Sequence, residues 1–326
     1  LTLNWGKLKR KANADRRVAV IFHHYPPRND RIGCAAGLDS FASVKRLLDR
    51  MQAAGYHIEK TYDDGDELAH DLLSRMTADQ RWLPPDQLAA RAEAHADKTR
   101  FRPWHHALPH SIRKKMTGDW GEIPGDLFVH DGRMHFAGMR NGHVFITIQP
   151  PRGYLENIDK IYHDMYLSPP HHYLAHYRWI RDVFKADVVM HVGKHGSLEW
   201  LPGKALGLSD ACYPDLAIME LPNVYPYIIN DPSEGTQAKR RSYACIIDHL
   251  TPAFTNADLY DDLGTVQGLV NDYSVAVAED PAKMEILRPM IWEAVARADL
   301  DQDLEISREQ AFEDFDRFLE RLHAYI

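Results

Sequence analysis

His191, His195 and Glu199 stand four residues apart inside ADVVMHVGKHGSLEWLPGKALGLSD, residues 186 to 210 of a 326-residue chain. Imidazole suits borderline divalent metals such as cobalt, zinc and nickel, and a carboxylate adds charge to the set. The same groups could act as general bases. On one unbroken helix this spacing would line a single face. The apolar lead-in Val188-Val189-Met190 and the glycines Gly193 and Gly196 speak instead for strand, turn and short helix. His191 then ends a strand, His195 lies in a turn, and Glu199 enters the first turn of a helix that Pro202-Gly203 stops. Open α/β sheets place their ligands where a strand's C-terminal end meets a helix N-terminus. Spacing alone leaves a second reading open, in which each histidine serves only a turn hydrogen bond and Glu199 only a helix cap.

The elements that must position these residues follow from periodicity. Arg17 to Phe22 is an apolar strand, His23 to Gly37 a loop with Arg28, Asn29, Asp30 and Arg31 at its tip. Leu38 to Ala54 follows as an amphipathic helix, with Phe41, Val44, Leu48 and Met51 on one face and Gly55 at its end. Residues 63 to 116 read as a charged helical insertion. Asp131-Gly132 suits the turn of a short hairpin. His143 to Gln149 is a strand, and Arg152, just beyond Pro150-Pro151, could grip a carboxylate in bidentate fashion. Pro169-Pro170 opens a helix over 171–184 with Tyr173, Tyr177, Ile180 and Phe184 inward; His172 and His176 lie on another face with no carboxylate partner in that helix. Tyr225 to Asn230 is a strand, and Asp231-Pro232-Ser233-Glu234 has the residues of a helix N-cap. That helix is expected to run from Pro232 to Leu250 and to carry Lys239, Arg240 and Arg241; its N-terminus suits an anion. The frame is α/β, a mostly parallel sheet flanked by helices, with the inserted helical segment and a helical C-terminal portion. The expected organisation is a linker over 1–16, a core over 17–262 and a mainly helical portion over 263–326, where Ser307 to Gln310 forms a capping box and Phe312, Phe315, Leu319 and Leu322 stripe the last helix.

Composition removes several classes of function. The net charge of -8, from 39 basic and 47 acidic residues, gives no footprint for nucleic acid. No run approaches the roughly 18 apolar residues that would span a membrane. No signal-peptide pattern opens the chain. Three scattered cysteines, Cys34, Cys212 and Cys245, fit a reducing cytoplasm and no Cys-based zinc site. The 19 histidines are an excess and cluster as His23-His24, His105-His106 and His171-His172, which fits metal chemistry as well as ordinary hydrogen bonding.

HVGKHGSLEWLPGK, then LSDACYPD, LPNVYPYIINDPSEGTQAKRR and IIDHLTP resemble the large subunit of cobaltochelatase, the CobN family, to which the H subunit of magnesium chelatase is related. The resemblance extends upstream through SPPHHYLAHYRW and IQPPRGY to YPPRNDRIGCAAGLDS. GKHG and the tryptophan of LEWLPGK look like the cobalt branch; the magnesium branch more usually reads GTHG and LEFMPGK. The resemblance implies an excised piece of the C-terminal half of a longer subunit. It implies insertion of cobalt(II) into a tetrapyrrole, hydrogenobyrinic acid a,c-diamide, in cobalamin biosynthesis; magnesium or nickel insertion and a non-catalytic tetrapyrrole- or metal-binding module remain as alternatives. It further implies an AAA+ ATPase subunit and a metal-ion-dependent-adhesion-site subunit as partners. No G-x-x-x-x-G-K-[ST] pattern is present, so ATP hydrolysis is expected in those partners. The isolated piece is then expected to be inactive. A metal-dependent hydrolase acting through a metal-bound water is the rival enzyme class. On this basis His191, His195 and Glu199 are expected to deliver the metal or take protons. Arg152, Lys194, Lys204, Lys239 and Arg240 are expected to hold the macrocycle's carboxylates.

Overall fold

The structure is a computed structural model and describes residues 1–79, 83–153, 161, 164–251, 261–279 and 281–325. It separates into two units, 1–252 and 253–326. The first is built on a six-stranded sheet in the order β5-β6-β1-β7-β8-β9. Its strands are β1 (Val18–Phe22), β5 (Met139–Asn141), β6 (Val144–Ile148), β7 (Val188–Val192), β8 (Asn223–Ile228) and β9 (Ala244–His249). All neighbours run parallel except β5, which returns antiparallel along β6. β1 and β6 are buried at every position, as expected of parallel strands covered on both faces.

The period of two divides β1 between two cores. Ala19 and Ile21 face Phe145, Tyr173, Tyr177 and Val189, under helices at 98–106, 110–120, 171–179 and 213–218. Val18, Val20 and Phe22 face Val144, Ile146 and Ile148, under the helices Ser40–Ala53 and Gly65–Leu73. Asp39 caps the first of these by accepting the Ala42 N–H at 2.9 Å, and Val44, Leu48 and Met51 are its buried stripe. Beside the main sheet, β2 (Ala94–Ala96), β3 (Val129–His130) and β4 (Arg133–Phe136) form a small antiparallel sheet in the order β2-β4-β3. Asp131 and Gly132 both take positive φ in its two-residue turn, as a type I′ hairpin requires.

Several expected elements differ. The expected linker over 1–16 holds a helix, Thr2–Arg10, and the segment 63–116, expected to be helical, also holds the strand β2. The helix expected over Pro232 to Leu250 stops at Arg241, and 244–249 is β9, paired with β8 from Asn223↔Ala244 to Ile228↔His249. Tyr243 takes a positive φ that a helix cannot accept, and Cys245-Ile246-Ile247 then satisfies the open side of β8. The helix over 171–184 is α-helical only to Trp179 and widens to a π turn over Ile180–Phe184 before Lys185 ends it in the left-handed region.

The second unit is helical, with Asp261–Glu279, Met284–Arg297, Leu300–Asp303, Arg308–Glu313 and Phe315–Tyr325. Val266, Val270, Tyr273, Ile291, Val295, Phe315, Phe318 and Leu322 are in its core. The Ser307–Gln310 capping box is formed. Asp314 interrupts the expected stripe, so Phe315, Phe318 and Leu322 are buried and Phe312 stays at the surface.

Candidate functional site

The connection from β1 leads to β6 on one side, and the chain then crosses back over β1 to β7 on the other. The direction of winding therefore reverses between β1 and β7, and this is where a doubly wound sheet opens a crevice beyond its carboxyl ends. Four adjacent strands deliver polar residues to that rim in spatial order: Gln149 and Arg152 after β6, His23 and His24 after β1, Gly193 to Trp200 after β7, and Asp231 and Glu234 after β8. A cavity of about 290 Å³ lies there. His24, Tyr25, Arg152, Met165, His195, Gly196, Ser197, Trp200 and Glu234 are among its walls. Two glycines let the β7 loop pack this closely. Gly193 has φ +114, and a Cβ there would come 3.0 Å from His23 Cβ; a Cβ on Gly196 would come 2.4 Å from His23 Nε2.

The predicted trio is divided. His195, Asp231 and Glu234 each bring one ligand atom within 4.8 Å of the other two, and among the described residues this is the set that could hold a metal. His195 Nδ1 lies 2.7 Å from Glu234 Oε2. The Tyr227 hydroxyl, 3.1 Å from the same nitrogen, donates to that oxygen at 3.2 Å. Lys194 is ion-paired with Asp231. That contact holds the Asp231 carboxyl below its ordinary range, while burial and then Asp231 push Glu234 up. Burial, then Lys194, lower His195, so its imidazole is neutral and open to a cation at neutral pH. Asp231 leads the helix Pro232–Arg241, but its side chain accepts no capping hydrogen bond because it is turned to Lys194.

His191 is not available as a ligand. It is 1 % exposed, its Nδ1–H donates to Asn223 Oδ1 at 2.8 Å, and its Nε2 accepts from the Tyr177 hydroxyl at 2.9 Å. Burial drives its pKa down to about 4. The chain of bonds continues from Gln149 Nε2 to the Tyr177 hydroxyl at 3.1 Å, and from the Ser197 N–H to Gln149 Oε1 at 2.7 Å. Tyr173 closes it on the Ser197 hydroxyl at 2.9 Å.

Glu199 is 2 % exposed, in a single 3-10 turn over Leu198–Trp200. Burial pushes its carboxyl up to about 7, against smaller opposing pulls from a backbone hydrogen bond and the Tyr225 hydroxyl. It lies behind the metal-capable set and not in it. His24 joins the cavity wall as a neutral imidazole, its Nε2–H donating to the Arg28 carbonyl at 2.8 Å and burial lowering its pKa to about 4.

Of the five residues predicted to grip carboxylates, Arg152 alone is part of the cavity wall. Its Nη2 donates to the Asp164 and Leu167 carbonyls at 3.0 and 3.5 Å, so it holds the segment that carries Met165. Lys194 is committed to Asp231. Lys204, Lys239 and Arg240 are exposed and line no part of this cavity. Sequence reasoning missed Asp231 and Glu234 as site residues by assigning them to a cap. It missed Tyr225 and Tyr227, whose hydroxyls face the site, by treating them as strand residues, and His23 and His24 by leaving them in a loop. The available signal was position: His23, His24, Asp231 and Glu234 follow strands on the ligand side, and Tyr225 and Tyr227 lie within one of them.

A CobN/Magnesium Chelatase family model matches residues 1–326. The chain belongs to the CobN/magnesium chelatase family. It is 41 % identical over 329 residues to the aerobic cobaltochelatase subunit CobN of Pseudomonas aeruginosa, covering 100 % of this chain and 26 % of that one. It is 35 % identical over 304 residues to the magnesium-chelatase H subunit of Cereibacter sphaeroides, covering 92 % and 24 %. The solved catalytic subunit of cobaltochelatase from Mycobacterium tuberculosis superposes with a TM-score of 0.69 at 39 % identity, over 95 % of this chain and 26 % of that one. This CobN-family chain thus spans about a quarter of the length of these relatives. Among its described residues, no helix is long and apolar enough to cross a membrane.

Proposed function

We propose that this chain is the part of a CobN-type chelatase that presents a divalent metal, cobalt(II), to a tetrapyrrole, hydrogenobyrinic acid a,c-diamide, with ATP hydrolysed by AAA+ and adhesion-site partner subunits. Metal insertion needs a place where the ion sheds water and a base that takes the pyrrole N–H protons. The observation that carries the reading is the adjacency of two unlike groups on one rim. His195, Asp231 and Glu234 form a partly open donor set, and Glu199 is a buried carboxyl whose pKa of about 7 suits accepting a proton at neutral pH. One imidazole and two carboxylates suit a borderline ion that must be released again, unlike a closed structural site with four ligands. Met165 and Trp200 give the cavity apolar walls on which a flat macrocycle can lie. The cobalt branch is favoured over magnesium by the 41 % identity to CobN against 35 % to the magnesium-chelatase relative.

The test is metal insertion by the full-length protein with its ATPase partners, comparing wild type with Glu199→Gln. The amide keeps the shape and cannot take the proton. The expected result is a rate lower by roughly 10²–10⁴-fold, with cobalt(II) affinity unchanged. Wild-type insertion by Glu199→Gln defeats the assignment of the base.

A further inference from the structure

Of the three side chains that could hold a metal, one already holds a cation. Lys194 is ion-paired with Asp231 through Oδ2. His195 and Glu234 are engaged with each other at 2.7 Å and share the Tyr227 hydroxyl, a neutral partner. Asp231 has the least exposed side chain of the three, and Lys194, at 16 %, is less exposed still. The lysine is fixed at its base, where its backbone N–H donates to the Cys34 carbonyl at 2.7 Å. Its ammonium lies 5.8 Å from the centre of the Tyr227 ring, within range of cation–π attraction. Lys194 thus has two partners: a carboxylate that a metal would use and an aromatic face that a metal would not.

We propose that Lys194 is a displaceable stand-in for the metal: its ammonium occupies Asp231 while the set is empty, moves off when cobalt(II) arrives, and returns as the ion leaves for the macrocycle. The proposal rests on the chelatase reading above and adds to it a residue that governs release. The physical ground is charge. The ligand atoms of Asp231 and Glu234 lie within 4.8 Å of each other, so two bare carboxylates there would repel. The ammonium relieves that repulsion in the empty set. A dication entering beside a retained ammonium would be repelled in turn, so binding and the Lys194–Asp231 pair exclude one another. Lysine suits such an exchange better than arginine. It is a point charge on a flexible stem, whereas a guanidinium would hold the carboxylate through two parallel bonds. The Tyr227 ring keeps the displaced ammonium close, so its return needs little movement. When the ion passes on, the lysine closes over Asp231 and opposes recapture. A delivering site needs this balance, because an ion held too tightly is not delivered.

The test is Lys194→Met in the full-length protein, which nearly keeps the length of the side chain and removes its charge; Lys194→Gln carries the same expectation should the methionine variant not fold. Cobalt(II) affinity is measured by calorimetry at mildly alkaline pH, where a proton does not take the ammonium's place. It is expected to be about tenfold tighter, the low end for a charge-assisted hydrogen bond between partly exposed groups. Release of bound cobalt(II) to excess EDTA, followed by visible absorption, is expected to slow by the same factor. Lys194→Arg, which keeps the charge, is expected to bind cobalt(II) no more tightly than wild type. A merely structural role predicts the opposite sign, because a damaged site loses affinity and does not gain it. Unchanged or weaker binding by the folded, uncharged variant overturns the proposal. So does tightening that lies wholly in the association rate, which would make the lysine a barrier to entry and not an agent of release. Either result leaves the chelatase reading standing while wild type binds cobalt(II); if wild type binds none, both fall.

Discussion

The outer and inner halves of this rim use the same residue types to opposite ends. The outer half holds His195, Tyr227, Asp231 and Glu234, with side chains of His195 and Glu234 37 % and 34 % exposed and Lys194 paired to Asp231. The inner half holds His23, His191, Glu199 and Tyr225, all 1–2 % exposed, and among the described residues no lysine or arginine hydrogen bonds to the carboxyl. Near water and beside a cation, a carboxylate stays charged and can hold a metal. Behind the β7 loop, charge is expensive. Moving Glu199 from 4.5 to about 7 corresponds to roughly 3 kcal/mol against its ionised form. Burial, more than residue type, therefore separates metal holding from proton holding over a few ångströms.

The largest expected effect that would sharpen this contrast is on stability against pH. Glu199 has a folded pKa raised above its unfolded value, so its contribution is complete below about 4.5 and is lost as pH rises through about 7. His24 and His191 have folded values lowered to about 4, so their contribution is present above 6.5 and is lost as pH falls towards 4. Thermal melts of wild type and Glu199→Gln between pH 4.5 and 8 should diverge by roughly 3 kcal/mol, wild type losing ground as pH rises. Parallel curves would mean that Glu199 is hydrated. In the outer half the expected effect is on binding. His195→Ala and Glu234→Gln should each weaken cobalt(II) binding by calorimetry at least as much as the ~10–100-fold typical of an outer-shell change. His191→Ala reverses the pattern. It strands Asn223 Oδ1 and the Tyr177 hydroxyl and should cost about 1–3 kcal/mol in urea unfolding while leaving cobalt(II) affinity as it was. A matching loss of affinity would restore His191 as a ligand.

The fold was legible wherever local pattern and tertiary demand agree. VAVIF and VFITI could only be buried strands, and Asp131-Gly132 could only be a tight turn. β9 was not legible, because Arg241-Ser242-Tyr243 continues a helical composition and the break is a positive φ that only the pairing with β8 demands. The site was legible as a place. GKHGSLEW did mark the β7 loop, and His195 and Glu199 are both there. It was not legible as a ligand set, since His195 takes its carboxylates from the start of a helix, 36 and 39 residues later, across a strand crossing that spacing cannot encode. Asp231-Pro232-Ser233-Glu234 illustrates the limit. The four residues spell a cap, and the same carboxylates are drawn instead to Lys194 and His195.

The smallest expected effect tests whether surface cations matter at all. Lys239 and Arg240 lie in the last turn of the helix Pro232–Arg241, exposed, while Asp231 and Glu234 at its start face the site. At 1.5 Å per residue the two ends are on the order of 10 Å apart. An exposed cation at that range is about one Debye length away at physiological salt and is largely screened. Lys239→Ala with Arg240→Ala should therefore change stability by no more than about 0.5 kcal/mol and leave cobalt(II) affinity within about twofold. Fluorescence titration with a carboxylated, metal-free porphyrin is the sharper readout, because a macrocycle long enough to reach both ends of the helix would feel the missing charges. A large loss of porphyrin affinity at unchanged cobalt(II) affinity would extend the substrate site along this helix and beyond the cavity. Unchanged porphyrin affinity would leave the helix start, and not its basic end, as the part that belongs to the site.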